Sequence, residues 1–405
     1  MEMDVTVKTK ALKEALKQAN KLIKTNKNIP VLSSAKIEAK EGKLTIKTQD
    51  EISRFSINID AEVNQSTEVL VDPKMRLSIV ESFEDDDMFI TKEEGKPLNL
   101  QAGWAMTALA VKTTEGYPDF NNEETEKIIE METKTLKDMI TRTSFACSVE
   151  QNKPLFTSVY MKITDGAVTM AGTDTHFMAV ARYKTDEAKG EKELVIPKKF
   201  MDDIVTNNIT DDKIAIGIHG NMVVFAYDNA RYMVRTIEGK FPDIYRVIPE
   251  ETLINVKVAR EKLEKSIARS MIFDKAKKTT IMYFKVKEKE IMLSSQDETG
   301  SINDKVLMQQ AEGEDIKIAF NMEYIAKVLK WKEEYINIGM NKCLSPAVFK
   351  KTGADEEDKI DYTYIVTPLR MVETTKFEQE KQALKEEEQA EKAQETKEAA
   401  QDEAA

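Results

Sequence analysis

Lys10, Lys13, Lys17, Lys21 and Lys24 recur at helical spacing near the start of this 405-residue chain. At about 100° per residue they fall within an arc of roughly 80°. Leu12, Ala15, Leu16, Ala19, Leu22 and Ile23 take the opposite side, and only Glu14 lies near the lysines. A solvated helix face usually mixes charges, which gains i,i+4 pairs and avoids self-repulsion. A nearly pure row of ammonium groups suits the neutralisation of a polyanion by many weak contacts. The pattern recurs in weaker form. Lys134, Lys137 and Arg142 sit on or beside a second such helix, and Lys262, Lys265 and Arg269 on a third. Lys74 with Arg76, Lys198 with Lys199, and Lys327 with Lys330 mark three further helices.

Other chemistries find weaker footing. His176 and His219 are the only histidines. Asp174 and His176 could form an acid–base pair, but no motif places a nucleophile beside them. A structural or pocket-wall histidine is the better reading. No cysteine or histidine pair has zinc-ligand spacing, and no glycine-rich phosphate loop is present, so no cofactor is expected. Glu84-Asp85-Asp86-Asp87 reads as a solvated acidic turn.

The elements that must carry these residues repeat threefold. Asp50 recurs as Asp174 and Asp297, at steps of 124 and 123 residues. Val71-Asp72-Pro73-Lys74 recurs as Val195-Ile196-Pro197-Lys198 and Ala319-Phe320-Asn321-Met322. A unit of that length is a small domain, too long for a solenoid repeat. Each copy reads as helix, alternating strands, second helix, more strands. Helices are expected over 9–25 and 73–83, 135–148 and 197–206, and 259–271 and 321–331. The expectation is α+β: three similar domains of two helices packed on mainly antiparallel sheet. They should span 1–123, 124–250 and 251–371, with breaks near Asn121–Lys127 and Pro249–Leu253.

Net charge is −12. Residues 376–405 hold five lysines against ten acidic residues, so the body is near −7. Residues 372–405 are a charged low-complexity tail that cannot bury a core, expected to be disordered or marginally helical. Taken alone, the acidic balance argues against nucleic acid; the placement of the lysines argues for it. No apolar run is long enough to span a membrane, and no signal-peptide pattern is seen. Cys147 and Cys343 read as free thiols of a reducing cytoplasm.

Ile29-Pro30-Val31-Leu32, Ala171-Gly172-Thr173-Asp174-Thr175-His176, Gly239-Lys240-Phe241-Pro242-Asp243, Tyr245-Arg246-Val247-Ile248-Pro249, Ser345-Pro346 and Thr367-Pro368-Leu369-Arg370 occur in this order. Together they resemble the bacterial DNA polymerase III beta subunit, the sliding clamp, over about residues 1–371. The resemblance implies a head-to-tail homodimeric ring of six similar domains, with helices lining the hole. Such a ring is non-catalytic. It encircles duplex DNA and tethers the polymerase catalytic subunit, and it engages the clamp loader and other proteins carrying short glutamine-containing motifs. The DNA channel would use Lys10, Lys13, Lys17, Lys21, Lys24, Lys74, Arg76, Lys137, Arg142, Lys198, Lys199, Lys262, Lys265 and Arg269. The peptide pocket would use Phe156, Thr173, Thr175, His176, Met178, Pro242, Arg246, Val247, Ile365, Thr367, Pro368, Leu369 and Met371. Where the family often has arginine after the histidine, this chain has Phe177, an aromatic expected to alter motif preference.

Trp104, Met106 and Ala108, in a late strand of the first repeat, and Met271, Ile272 and Phe273 read blandly as core. The resemblance places the dimer interface near both segments. Two rivals stay open. A nuclease would need clustered carboxylates beside the basic surface. A peptide-binding scaffold that no longer encircles DNA would have no use for the lysine row.

Overall fold

The computed structural model describes residues 2–370 except 22, 24–27, 85, 119, 121–124, 151, 274–278, 299, 331–332 and 352–359. The tail expectation and Met371 lie outside these residues. One element order occurs three times: strand, helix, four strands, helix, three strands. The helices are α1 (Thr9–Asn20) and α2 (Pro73–Glu81), α3 (Thr133–Ser144) and α4 (Lys198–Thr206), α5 (Arg260–Phe273) and α6 (Met322–Val328). Each second helix follows a strand directly, at the three positions of the Val71-type repeat.

The chain divides into two compact units. The first holds Met1–Glu251 with Tyr335–Ile338 and Val348–Val366. In it, α1 buries Leu12, Ala15, Leu16 and Ala19 on the strands Lys43–Gln49 and Ser53–Gln65. Burying each leucine contributes about 1.5–3 kcal/mol. The helix is shorter than the 9–25 expected. Lys21 N–H bonds back to Gln18 O and Ile23 N–H to Asn20 O, tightening the chain out of the helix after Asn20.

Ser53–Gln65 serves two repeats. Its early residues pair with Ala230–Arg235 of the second repeat, Ile57 opposite Ala230. Its later residues pair with Met3–Lys8 of the first, Val63 opposite Val5. Beyond Met3–Lys8 the sheet continues through Asp87–Lys92 and Leu98–Ala102 to the terminal strand Ala105–Leu109.

The second repeat builds its other sheet from Lys192–Pro197, Ser158–Thr164, Ala167–Thr173 and Phe177–Lys184, and Phe177–Lys184 pairs with Ile360–Val366. Helix α3 lies close on this sheet because Gly172 lets it. A Cβ at Gly172 would come 2.3 Å from Thr143 O and 2.9 Å from Cys147 Sγ.

The second unit holds Thr252–Glu334, Gly339–Ala347 and, of the described residues after 366, Thr367–Arg370. Its strands Ile254–Ala259, Gly300–Glu312, Glu290–Asp297, Thr279–Lys285 and Ile316–Asn321 pair in that order. Leu263, Ser266, Ile267 and Ser270 of α5 are fully buried. Asn321 caps α6, its side chain accepting from Glu323 N–H at 2.9 Å.

Candidate DNA face, peptide pocket and edge surface

The lysine row of α1 splits by role. Lys10 and Lys17 are exposed. The Lys13 ammonium instead donates to the carbonyl of Phe83, just past the end of α2. That oxygen sits at the negative end of a helix dipole, where a cation is stabilising. The same tie recurs in the second repeat, where Lys137 donates to Asn207 O at 2.7 Å beyond α4. In the third, Arg260 donates to Leu329 O at 3.1 Å after α6. One position of each first helix is therefore a helix-end tie.

Lys21 is half-buried. Its ammonium donates to Asn207 Oδ1 at 2.6 Å and Thr206 Oγ1 at 3.1 Å, crossing from the first repeat to the second. Burial holds its pKa below the ordinary lysine value, opposed by Asp203 and reinforced by Lys17, Lys137 and Lys199. Burial also lowers the pKa of Lys137. Lys24 lies outside the described residues, as do the side chains of Lys74 and Arg76.

The remaining candidates are partly neutralised. Lys198 pairs with Asp202, and Lys199 with Asp203 at 2.7 Å. Arg142 pairs with Asp138 at 3.1 Å and stacks over Tyr362 at 4.2 Å, while Tyr362 Oη donates to Asp138. It is a packing residue more than an exposed cation. In the second unit Lys265 pairs with Glu261 at 2.5 Å and Arg269 with Asp304, while Lys262 is exposed.

The apolar floor of the candidate pocket lies within the first unit. Tyr160, Ala171, Met178, Val180, Val195, Phe241, Ile244 and Ile365 form one buried cluster, with Leu155, Ile237 and Ile248 against it. Met178 sits opposite Thr173 on one side and Ile365 on the other. Phe241 stacks on Tyr160 at 4.8 Å, and half-buried Phe156 meets its ring at 6.4 Å. Pro242, Arg246 and Val247 are exposed at the rim. Asp243 shapes it: its carboxylate accepts from Tyr245 N–H at 3.1 Å and lies 3.5 Å from Arg246 Nε.

Asp174 is a turn cap. Its Oδ1 accepts from the N–H groups of His176 and Phe177, both at 2.9 Å. Asp50 does the same in the first repeat, accepting from Ile52 at 3.0 Å and Ser53 at 2.7 Å. In the first two repeats the recurring aspartate thus closes a hairpin. Its carboxylate is occupied by backbone, which leaves the acid–base reading with His176 no support. Thr175 is held in the left-handed region, φ +83°. Thr173 Oγ1 accepts from Thr175 N–H at 3.0 Å and donates to Phe177 O at 2.8 Å, so Thr173 organises the turn while exposed Thr175 and His176 stand at its tip.

The expectation for Phe177 is corrected. Strand alternation turns Phe177 to the face opposite Met178. It is buried against Phe145 at 5.6 Å and Tyr364 at 6.0 Å, under α3. It supports the turn from beneath and does not line the pocket floor. Thr367, Pro368 and Leu369 belong to the second unit, where Leu369 N–H donates to Ala319 O at 2.8 Å.

The bland core reading fails for the edge residues. Trp104 is fully exposed, and it sits in the turn after Leu98–Ala102, not in a strand. Met106 and Ala108 are exposed on the terminal strand, and Phe89 is 47% exposed in register with Gln101, which in turn faces Met106. Ile272 is exposed near the end of α5 and Met271 half-buried, while the Phe273 side chain lies outside the described residues. Sequence reasoning missed Phe89, Asn207 and Tyr160. Phe89 alone carried a signal, as an apolar residue at an outward position of an alternating strand.

Three family models match in chain order. They are the N-terminal domain of the DNA polymerase III beta subunit at residues 3–121, its central domain at 130–243 and its C-terminal domain at 245–368. The beta sliding clamp of Staphylococcus aureus (strain Mu50) is 24% identical over 381 residues, covering 91% of this chain and 99% of that protein. The Staphylococcus epidermidis beta sliding clamp is 23% identical over the same coverage. The beta subunit structure from Thermotoga maritima has a TM-score of 0.83 at 25% identity, over 91% of this chain and 100% of that one. The Bacillus subtilis sliding clamp has 0.84 at 21% identity, over 92% and 100%.

Proposed function

The chain belongs to the DNA polymerase III beta subunit family, and from that membership we propose that it is a non-catalytic sliding clamp, a processivity factor that encircles duplex DNA and tethers the replicative polymerase. The observation that carries this reading is the match of all three beta-subunit domains, in order, to a chain whose first helices present lysines. Exposed Lys10, Lys17, Lys199 and Lys262 would meet phosphates without reading bases. Contacts of that kind suit a ring that slides, since none fixes a register.

Two copies would join head to tail, with Trp104 and Met106 of one meeting the Ile272 region of the other. Exposed apolar side chains on a terminal strand are otherwise an aggregation liability. The pocket on Met178, Phe241 and Ile365 would take short motifs from the polymerase catalytic subunit, the clamp loader and repair proteins. Apolar anchors would enter, with the exposed turn at Thr175 and His176 orienting them. Among the described residues, no helix is long and apolar enough to cross a membrane.

The deciding experiment is topological. Protein loaded onto nicked circular duplex should stay bound through gel filtration and leave after the circle is linearised. Equal retention on linear and circular DNA would leave a peptide-binding scaffold or an ordinary DNA binder. A magnesium-dependent cleavage assay should stay negative.

A further inference from the structure

Asn207 uses every polar group it has, and its side-chain oxygen joins two repeats. Its side-chain oxygen accepts from Lys21 of the first repeat at 2.6 Å. Its amide nitrogen donates to the buried Tyr227 hydroxyl at 2.8 Å. Its backbone carbonyl accepts from Lys137 at 2.7 Å, and its N–H bonds Asp203 O. Only 4% of the residue is exposed. The equivalent position of the first repeat is Phe83, which uses its backbone carbonyl and N–H but has no polar side chain. The second repeat thus adds a side chain that reaches across.

Two ammonium groups held on one residue repel each other, and Lys17 and Lys199 add to the local charge felt by Lys21. Asp203 offsets Lys21, and Asp228 offsets Lys137. Asp203 is already engaged by Lys199 at 2.7 Å and by the Tyr232 hydroxyl at 2.9 Å, and Asp228 accepts from the N–H groups of Thr210 and Asp211. Four cations against two carboxylates leave an excess of positive charge that an external anion would relieve.

We infer that Asn207 is a positioning residue that holds Lys21, beside Lys17 and Lys199, as a seat for one DNA phosphodiester at the junction of the first two repeats, with Lys137 tied beneath it as a structural cation. This rests on the DNA-face reading proposed above. The clasp fixes long side chains that would otherwise lose rotamer freedom only on meeting DNA. The seat contributes charge and carries no base information.

The test is equilibrium binding of a labelled duplex across a potassium chloride series, using the full chain. Lys17→Gln reports on the DNA face itself and should make the log–log salt slope shallower by up to roughly one. Asn207→Ala should shift the slope by a similar amount and lower the melting temperature. Asn207→Asp keeps the acceptor for Lys21 and the backbone carbonyl, so it should stay folded while weakening DNA binding several-fold. If Lys17→Gln changes the slope and both Asn207 variants bind as the wild type does, the clasp is only structural and the inference falls while the DNA face stands. If Lys17→Gln is also silent, the DNA-face reading fails with it. Should both Asn207 variants unfold, half-buried Lys21→Gln decides: an unchanged salt slope there overturns the seat.

Discussion

The ammonium of Lys13 donates to the carbonyl of Phe83, and 124 residues along the chain Lys137 repeats the bond to Asn207. A stripe that reads as one surface on a helical wheel therefore holds two kinds of lysine. One kind ties the end of the second helix, and the other faces solvent.

The two kinds should separate by mutation. Lys13→Gln should cost about 1.5–3 kcal/mol of stability, the scale of a hydrogen bond with one charged partner, and leave the salt slope of DNA binding near the wild-type value. Lys10→Gln combined with Lys17→Gln should do the reverse. The slope should drop by up to roughly one for each phosphate no longer neutralised, with the melting temperature unchanged. Thermal melts and salt titrations on the same preparations check both.

The hairpin at Asp174 should be a stability element with a strained tip. Asp174→Ala removes the acceptor for two N–H groups and should cost about 1–2 kcal/mol, as should Asp50→Ala in the first repeat. Thr175 is β-branched in a conformation that favours glycine. Thr175→Gly should stabilise by up to about 1 kcal/mol and weaken peptide binding by loosening the turn. Calorimetry and peptide titration read these outcomes.

How far the sequence reaches is clearest at these turns. The threefold aspartate, and the strand-to-helix junctions at Pro73, Lys198 and Met322, are legible because local chemistry dictates them. Phe177 is not. Its face depends on strand register, and a shift of one residue exchanges pocket for core. Trp104 reads as strand because an apolar run does not show where a two-residue turn cuts it. The junction at Asn207 is invisible in the sequence, because it joins residues 186 apart along the chain.

The pocket rim should be separable from the fold. Val247 is 41% exposed, so Val247→Asp should leave the melting temperature within about a degree of wild type. Binding of a glutamine-containing clamp peptide should weaken at least tenfold, a change of about 1.4 kcal/mol. Unaltered affinity in this variant would remove the pocket from this surface.

Trp104→Ala with Met106→Ala should raise the monomer fraction in sedimentation at micromolar concentration. Both side chains are exposed in the isolated chain, so the monomer's own stability should not change. Ile272→Ala should act in the same direction. A chain already monomeric before mutation would count against the ring.

The two thiols should differ in reactivity. Burial pushes the Cys147 thiol up to about 12 from its ordinary 9.0, whereas Cys343 is exposed. One thiol per native chain should react with a disulfide reagent at pH 8, and two after denaturation. The neutral Cys147 favours the folded state fully below pH 9.0. That contribution should be lost as pH rises towards 12, because the unfolded thiol ionises first.

The strand Ser53–Gln65 takes partners from two repeats in turn. A first repeat excised at its sequence period would keep the pairing of that strand with Lys43–Gln49 but leave the other edge of its early half bare, open to any other chain. Copies that look interchangeable on paper are thus not transplantable parts. The first two repeats are stitched into a fabric from which the first panel cannot be cut without fraying.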